Sequence, residues 1–228
     1  MAKILITGGN SGLGFEVAKL LAARGDELFL LGRDLARTKS ASEKIAATDL
    51  CCDVRDNQAV EAAFAKLSSL DILVNCAGIT QYAKLDEQAP EKIAEIIETN
   101  LLGTIYCSRA ALKLFRPQKS GLILNVSSTS GLPTGGNPYE AAYVASKYGV
   151  TGFTDALRKE VVAQGLNVRV LCFNPGGMKT EFFSKAQATK DTTSFMDPAE
   201  VAKVVVFMLE VPQGICLDQV VMNRNKAI

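Results

Sequence analysis

Residues 7–14 of the chain read Thr-Gly-Gly-Asn-Ser-Gly-Leu-Gly, directly after the apolar run Lys3 to Thr7. The stretch leads into an amphipathic segment whose apolar stripe includes Val17 and Leu21. Glycines permit a tight turn there, and they let backbone N–H groups approach a pyrophosphate at the N-terminus of a helix. A bare connection would need only one or two glycines. The turn therefore predicts a nucleotide site between the first strand and the first helix.

Short apolar runs alternate with amphipathic stretches along the whole chain. The runs are rich in Val, Ile and Leu and mostly lack polar alternation, as in strands that are buried on both faces of a parallel sheet. They are Lys3 to Thr7, Glu27 to Gly32, Asp49 to Cys52, Ile72 to Asn75, Leu122 to Val126, Val168 to Phe173 and Ile215 to Met222. This order predicts an α/β fold, a single Rossmann-type doubly wound domain over residues 1–228. Its seven-stranded sheet should be mostly parallel, with helices on both faces.

One stretch, about residues 180–196, interrupts this alternation. It is polar and rich in Thr, Ser and Lys, with three phenylalanines embedded in it. Such a composition suits a flexible flap over a substrate site, and an inert surface excursion would explain it equally well.

Composition argues against several classes of protein. Hydrophobic residues make up 48% of the chain and charged residues 21%, which predicts a soluble globular protein. The net charge is +1 and basic stretches are lacking, so we expect no nucleic-acid partner. We expect no signal peptide ahead of the first strand, and no apolar run in the sequence is long enough to span a bilayer. We therefore expect a cytoplasmic protein without a membrane partner.

The histidine and cysteine content argues against a metal site. The sequence contains no histidine, and none of its six cysteines forms a Cys-x-x-Cys pair. The cysteines lie mostly in apolar stretches, so we interpret them as reduced core residues.

Tyr143 and Lys147 lie four residues apart in the run Tyr-Val-Ala-Ser-Lys, which we predict to be helical. Residues at this spacing share one face of a helix. A nearby ammonium favours the phenolate, so we expect Lys147 to lower the pKa of Tyr143 toward neutrality. Tyr143 could then serve as a general acid or base in a protein that lacks histidine. Most such pairs are solvated helix neighbours, so the pair needs support from other motifs.

Further motifs follow the strands in order. They are Thr7-Gly-x-x-x-Gly12-x-Gly14, Asn75-Cys76-Ala77-Gly78, Asn100, Asn125-Val126-Ser127-Ser128, Tyr143-x-x-x-Lys147 and Asn174-Pro175-Gly176-Gly177-Met178-Lys179-Thr180. In these motifs the chain resembles the classical branch of the short-chain dehydrogenase/reductase family over essentially its whole length. It departs in having Cys76 where the family usually has a second Asn, and in a slightly longer segment between Gly131 and Tyr143.

The resemblance implies four catalytic residues: Asn100, Ser128, Tyr143 and Lys147. Ser128 would hold a carbonyl oxygen, Tyr143 would donate a proton, and Lys147 would lower the pKa of the tyrosine and contact the nicotinamide ribose. Asn100 would steady a water relay, although without the other motifs Asn75 and Asn100 look like ordinary turn or cap residues. The rivals Ser127 and Tyr139 match the family's catalytic positions less well, and Tyr139 has Tyr143 instead of a lysine four residues on.

The resemblance also implies a dinucleotide site. Its residues would be Gly8, Asn10, Ser11, Gly12, Leu13, Gly14, Arg33, Asp53, Val54, Asn75, Ala77, Gly78, Tyr143, Lys147, Pro175, Gly176 and Thr180. Two of them have alternatives. Asp53 would contact adenine or cap the next helix, and Thr180 would bind the nicotinamide carboxamide or start a helix.

The end of the second strand bears on the choice of cofactor. An NAD site usually has Asp or Glu there, and this chain has Gly32 followed by Arg33. A guanidinium could pair with the 2′-phosphate of NADP. The turn residues Asn10 and Ser11 lack the basic side chain of many NADP-preferring relatives. We expect NADP(H) to be preferred, with NAD(H) possible.

These motifs predict an NADP(H)-dependent oxidoreductase that interconverts a small-molecule carbonyl and an alcohol without a metal. One alternative is a reductase of carrier-bound 3-oxoacyl groups, for which Lys179 and Lys185 could contact the acidic carrier. An alternative of another class is a regulatory protein that senses NAD(P). The residues expected to line the substrate pocket are Thr80, Gln81, Thr129, Tyr139, Gly177, Phe182 and Phe183.

Two predicted helices, from about Glu91 to Phe115 and from about Tyr139 to Ala163, carry apolar residues over more than one stripe. Family resemblance implies that they pack against their copies across a two-fold axis, which predicts a homodimer or a homotetramer. A thick monomer core would explain the same residues.

Overall fold

The computed structural model describes residues 1–133, 135–186 and 192–225. The described strands form one seven-stranded sheet in the order β3-β2-β1-β4-β5-β6-β7, and every neighbouring pair is parallel. The strands are β1 (Lys3–Thr7), β2 (Glu27–Gly32), β3 (Thr48–Cys51), β4 (Ile72–Asn75), β5 (Ser120–Val126), β6 (Asn167–Pro175) and β7 (Gln219–Met222). The predicted α/β fold is confirmed, and the sheet is parallel throughout.

The predicted strand bounds differ from the observed ones mainly in β6 and β7, the last two strands of the chain. β7 begins at Gln219, because the N–H of Ile215 donates to the carbonyl of Pro212 in a turn. β6 continues to Pro175, which lies opposite Met222 of β7. β6 thereby reaches the loop that was expected to bind the nicotinamide.

Helices cover both faces of this sheet. The described helices are α1 (Gly12–Ala23), α2 (Leu35–Glu43), α3 (Asn57–Phe64), α4 (Pro90–Ile97), α5 (Gly103–Gln118), α6 (Ala141–Ala163), α7 (Glu181–Lys185) and α8 (Pro198–Glu210). Aspartates cap several N-termini, as Asp197 does for α8 by accepting from the N–H of Ala199. The cap of α3 is Asp56, so the alternative that Asp53 caps this helix is wrong.

The long helix predicted from Glu91 to Phe115 is interrupted. A π-helical turn, Glu98–Leu102, joins α4 to α5 and contains the fully buried Asn100. π-helical turns are rare and are found most often at functional sites. The second predicted helix starts at Ala141, two positions late, because Tyr139 has a φ of 70°, outside the helical range.

Successive residues of each central strand pack on opposite faces of the sheet. On one face, side chains such as Ile4 and Ile6 pack with α1 and α8 in one apolar cluster. On the other face, Leu5 packs in a cluster with residues of α3, α5 and α6. Both faces are therefore buried, which is why these strands lack polar alternation.

The order of the strands reverses between β1 and β4, and this reversal positions the site. Thr7, Asn75 and Asn125 end or nearly end their strands at the same level of the sheet. In open α/β sheets, ligands bind in the crevice beyond the carboxyl ends of the strands at such a point.

The predicted flap is described only at its two ends. The backbone of Met196 forms hydrogen bonds with the backbone of Gly177 and of Lys179. α7 follows Lys179 in the chain and ends shortly before residue 187. Residues 187–191 lie outside the described residues. Among the described helices, none is long and apolar enough to cross a membrane.

Candidate active site

A cavity of about 540 Å³ lies at the carboxyl ends of the strands. It contains most of the residues that sequence reasoning assigned to the cofactor and to catalysis. Those that line it are Gly8, Asn10, Ser11, Gly12, Leu13, Gly14, Arg33, Asp53, Val54, Ala77, Gly78, Ser128, Tyr143, Lys147, Pro175, Gly176 and Thr180. Asn75 and Asn100 lie outside this lining.

The glycine turn packs so closely that side chains are excluded from it. A Cβ on Gly14 would lie 2.6 Å from the carbonyl oxygen of Gly8, and a Cβ on Gly8 would lie 2.9 Å from the Cα of Ala77. The hydroxyl of Thr7 holds the opposite wall by accepting from the N–H groups of Cys76 and Ala77, each at 3.1 Å. These contacts fix the floor of the cavity beside the start of α1.

The N-terminus of α1 is suited to a phosphate. Its N-cap, Ser11, makes no side-chain hydrogen bond to the first turn of the helix. The first N–H groups of a helix have no partner within it, and the helix dipole favours an anion there. The residues present therefore fit the pyrophosphate of a dinucleotide.

Ser128 and Tyr143 lie together on the other side of the cavity. Both are buried, at 8% exposure each, and the hydroxyl of Ser128 is close enough to that of Tyr143 to affect its pKa. Ser128 follows β5, and its Oγ also accepts from the N–H of Ser130 at 3.0 Å, which orients the side chain at the start of a 3-10 turn. A carbonyl oxygen held between these two hydroxyls would meet one oriented donor, Ser128, and one ionisable donor, Tyr143.

The pKa of Tyr143 departs from the expectation of a lowered value. Burial raises it well above the usual value for a tyrosine, the hydrogen bond from Ser128 lowers it, and the charge of Glu140 raises it further. Desolvation disfavours the phenolate, and here this effect exceeds the others. Without a bound ligand, Tyr143 is thus a protonated phenol at neutral pH.

Lys147 lies behind the ring of Tyr143. Its Nζ is 5.8 Å from the centre of the ring and donates to the carbonyl of Val126 at 2.9 Å. Burial lowers the pKa of Lys147 to about 8. The ammonium thus loses its proton much closer to neutral pH than an exposed lysine does.

The side chain of Asn100 braces the walls of the site. Its Nδ2 donates to the carbonyl of Ile79 and to Oγ of Ser146, both at 2.9 Å, and its Oδ1 accepts from the N–H of Ile79 at 2.8 Å. The amide thereby ties the segment after β4 to α6, the helix that carries Tyr143 and Lys147. Its geometry is that of a positioning residue.

Asn75 belongs to a polar network beneath the cavity. Its Nδ2 donates to Oδ1 of Asn125 at 2.9 Å and to Oγ of Ser108 at 3.0 Å. Asn125 in turn donates to Thr154 of α6. The network links β4, β5, α5 and α6, so Asn75 supports the sheet edge beneath the cavity.

Charged residues gather at the end of the cavity near β2. Arg33 is paired with Glu95 at 3.0 Å, and Arg37 with Glu181 at 2.7 Å. The Arg55 guanidinium holds the pKa of the Asp53 carboxyl below its usual value. Arg37 also lines the cavity, and sequence reasoning missed it although it lies one helical turn beyond Arg33.

Comparisons with known proteins agree with this arrangement. A family model described as short chain dehydrogenase matches residues 2–191. The chain belongs to the short-chain dehydrogenase/reductase family.

Similar proteins cover nearly the whole of this short-chain dehydrogenase/reductase. Carbonyl reductase family member 4 of Xenopus tropicalis is 35% identical over 217 residues, covering 91% of this chain and 90% of the relative. The 3-oxoacyl-[acyl-carrier-protein] reductase of Homo sapiens is 34% identical over 218 residues, with coverage of 91% and 90%. A solved structure, the closed form of serine dehydrogenase complexed with NADP+, superposes with a TM-score of 0.88 at 27% identity, covering 96% and 94% of the two chains.

The substrate end of the site in this family member agrees only in part with the predicted lining. Thr129, Gly177, Phe182 and Phe183 line the cavity, whereas Thr80, Gln81 and Tyr139 do not. The side chain of Tyr139 is largely exposed. Three polar residues that sequence reasoning missed take their place: Tyr82, Asn137 and Glu140. They follow β4 or precede α6, in loops whose path no periodic pattern specifies.

Proposed function

We propose that this protein is an NADP(H)-dependent oxidoreductase that reduces a ketone or an aldehyde to an alcohol, or catalyses the reverse reaction. The observation that carries the proposal is the grouping of Ser128, Tyr143 and Lys147 in one cavity with the glycine turn. No residue in this grouping requires a metal, and among the described residues no cluster of His, Cys, Asp and Glu could hold one.

The dinucleotide, when bound, supplies the hydride for reduction or accepts it in oxidation. Ser128 holds the carbonyl oxygen of the substrate and stabilises the negative charge that develops on it. Tyr143 shares that oxygen and gives it the proton. Because burial keeps the phenol protonated, Tyr143 is ready to act as an acid in reduction.

Lys147 acts through charge in this proposal. Its ammonium stabilises the phenolate that remains after proton transfer, since an opposite charge favours the ionised form of a neighbour. Its hydrogen bond to the carbonyl of Val126 holds the lysine in position. The hydrogen bonds of Asn100 hold α6 and the segment around Ile79 in fixed positions relative to each other. Asn100 therefore affects the reaction by positioning α6, which carries Tyr143 and Lys147.

The preference for NADP(H) rests on the charges near β2. A side chain at residue 32 is excluded, since a Cβ on Gly32 would lie 2.5 Å from both Asn10 Nδ2 and Thr38 Oγ1. The carboxylate that would repel a 2′-phosphate therefore does not fit at residue 32. Arg33 and Arg37 supply guanidinium groups at the same end of the cavity, which favour a phosphate over the bare ribose of NAD(H).

The experiment that tests this function is a screen of aldehydes, ketones and alcohols with NADPH, NADH and their oxidised forms. We expect carbonyl-dependent oxidation of NADPH at a higher kcat/KM than of NADH. A protein that binds the dinucleotide and turns over none of the compounds would instead support the regulatory NAD(P)-sensing alternative.

A second candidate function is the reduction of carrier-bound 3-oxoacyl groups, which the names of several relatives favour. This function needs a basic surface beside the cavity to receive an acidic carrier. Lys179 lies in a neighbouring depression on that side, and the side chain of Lys185 lies outside the described residues. A comparison of acetoacetyl-carrier protein with a free 3-oxo ester distinguishes the two functions, because only the second function predicts a large preference for the carrier.

A further inference from the structure

A buried carboxylate, that of Glu140, lines the substrate end of the cavity. Only 3% of the residue is exposed. Glu140 is the N-cap of α6, and its carbonyl accepts the first hydrogen bond of the helix, from Val144. It therefore lies in the same helical turn as Tyr143, close enough that its charge raises the pKa of the phenol. Acidic residues are rarely buried unless something compensates their charge.

The partners of Glu140 are all neutral hydrogen-bond donors. The N–H and the Nδ2 of Asn137 both donate to its Oε2, at 3.1 and 2.7 Å. Burial raises the pKa of the Tyr82 phenol, and the neighbouring Glu140 carboxylate raises it further. Both Asn137 donors reach the same carboxylate oxygen, Oε2. Within the described residues, Glu140 forms no ion pair with a lysine or an arginine.

This arrangement leaves the carboxylate able to take a ligand. A carboxylate has about four acceptor sites, and the two Asn137 donors use two of them. Burying an ion without an opposite charge costs several kcal/mol, and a cation or a strong donor that reaches it recovers part of that cost. Because Glu140 lines the cavity, a substrate bound at Ser128 and Tyr143 can supply such a group.

Aromatic rings also line this cavity. Phe182 packs edge-on against the ring of Tyr143, with centroids 5.9 Å apart, and Phe183 packs against Phe182 at 5.6 Å. A substrate in this cavity thus meets both a carboxylate and aromatic rings.

We propose that Glu140 is a specificity-determining residue that binds an ammonium or hydroxyl group on a carbon next to the substrate carbonyl. The substrate class is then amino- or hydroxy-substituted ketones and aldehydes, together with the corresponding amino alcohols and diols. This inference rests on the proposed function and narrows it. The reaction is otherwise unchanged: Tyr143 gives a proton to the carbonyl oxygen, bound NADPH would supply the hydride that the carbonyl carbon receives, and the donor group stays intact.

The proposal separates this protein from a reductase of carrier-bound acyl groups. A 3-oxoacyl thioester has no ammonium or hydroxyl donor on either carbon beside its ketone. It would leave the charge of Glu140 uncompensated in a closed site. The buried carboxylate thus favours small donor-bearing carbonyls over the second candidate function.

A matched series of three ketones tests the proposal. Aminoacetone, hydroxyacetone and 2-butanone have the same number of heavy atoms and differ only in an ammonium, a hydroxyl or a methyl group next to the carbonyl. We expect the wild-type kcat/KM to follow that order, with aminoacetone favoured over 2-butanone by about tenfold or more.

Glu140→Gln keeps the size and one acceptor of the side chain and removes its charge. The ratio of kcat/KM for aminoacetone to that for 2-butanone should fall by about tenfold in this variant. The control is Glu87→Gln, an exposed glutamate paired with Lys84 outside the cavity, which should leave the ratio unchanged. Thermal unfolding and NADPH binding show whether each variant is folded.

Tyr82→Phe provides a second test if the glutamine variant fails to fold. It removes the phenol beside Glu140 and leaves the charge of the carboxylate, so the preference for aminoacetone should persist or grow. A loss of preference in Tyr82→Phe would overturn the proposal, as would equal losses on all three ketones in Glu140→Gln. A wild type that reduces other carbonyls and lacks the preference also overturns it, while the proposed function stands. A wild type that reduces no carbonyl with either cofactor contradicts the proposed function itself.

Discussion

The phenol of Tyr143 and the ammonium of Lys147 share one buried site, and burial acts on them in opposite directions. It raises the pKa of the phenol and lowers the pKa of the ammonium to about 8. Below that value Lys147 is charged and can stabilise the phenolate that proton transfer leaves. Above it the charge is lost. The pair is thus competent for carbonyl reduction near neutral pH.

The first prediction concerns the pH dependence of this pair. We expect kcat/KM for ketone reduction to be steady from about pH 6 to 7.5 and to fall as the pH rises through about 8, where Lys147 loses its proton. The measurement is a steady-state profile in buffers of constant ionic strength. A profile that stays flat to pH 10 would show that the charge of Lys147 is not needed.

Arg33 carries the second prediction. Its side chain is 57% exposed and is paired with Glu95. Solvent screening weakens such a contact, so Arg33→Ala should raise the Kd for NADPH by only about tenfold and leave the Kd for NADH nearly unchanged. Fluorescence titration measures both constants. Arg109→Ala, which changes an exposed arginine outside the cavity, is the matched control. Equal losses for the two cofactors would refute a role at the 2′-phosphate.

Individual residues were predictable where their role follows from position in the chain. The glycine turn, Ser128, Tyr143 and Lys147 all follow strands or lie at helical spacing, so the sequence alone brings them to one edge. The hydrogen-bond partners of Asn75, Ser108 and Asn125, were not foreseen because they are distant from it in sequence. The raised pKa of Tyr143 was missed because the degree of burial depends on the packed fold.

At the scale of an element, the close packing of the turn between β1 and α1 positions the expected cofactor site. Its backbone approaches itself and the segment after β4 so closely that only glycine fits at residue 14. This close approach positions the N-terminus of α1 to receive the pyrophosphate.

The third prediction tests this turn. Gly14→Ala should lower the free energy of unfolding by about 1–3 kcal/mol through overpacking, and it should weaken the binding of NADPH and NADH alike. Gly214→Ala is the control, because a Cβ there would meet nothing within 4 Å. Chemical denaturation and cofactor titration give the two quantities. Wild-type affinity for both cofactors in Gly14→Ala would contradict the role of the turn.

Elements were predictable where periodicity is long and regular. β1, β2 and β4 begin and end at the predicted residues. The π-helical turn at Glu98–Leu102 was not foreseen, because its sequence has the apolar spacing of an ordinary helix. The loops that hold Tyr82 and Asn137 were missed because no repeat pattern determines where a loop lies.

At the scale of the whole molecule, α5 and α6 bear on assembly. Part of their apolar surface is buried within the chain, as the alternative of a thick monomer core predicts. Ala110, Ala111, Leu157 and Val161 belong to one core cluster, and Val150 is fully buried. Val162 and Tyr148 of α6 are exposed, at 72% and 41%. We propose that these helices form the interface of a cytoplasmic homodimer or homotetramer, which would brace Tyr143 and Lys147 from behind.

The fourth prediction follows from this proposal. Light scattering at micromolar concentration should give the mass of two or four chains. Charged substitutions at partly buried positions such as Phe153→Glu should produce monomers with reduced activity. Phe207→Glu changes an exposed side chain of α8, away from α5 and α6. It is a control for a tetramer built from such dimers, because the dimer should survive it. A fully active wild-type monomer would rule the interface out.

Tyr143→Phe provides the most direct test of the central claim, that this phenol transfers the proton in carbonyl reduction. The variant loses only the hydroxyl, so the fold and the binding of NADPH should persist. We expect kcat/KM for the best carbonyl substrate to fall by at least about 100-fold. Turnover within a few fold of the wild type, in a variant with unchanged thermal stability and NADPH affinity, would contradict the account.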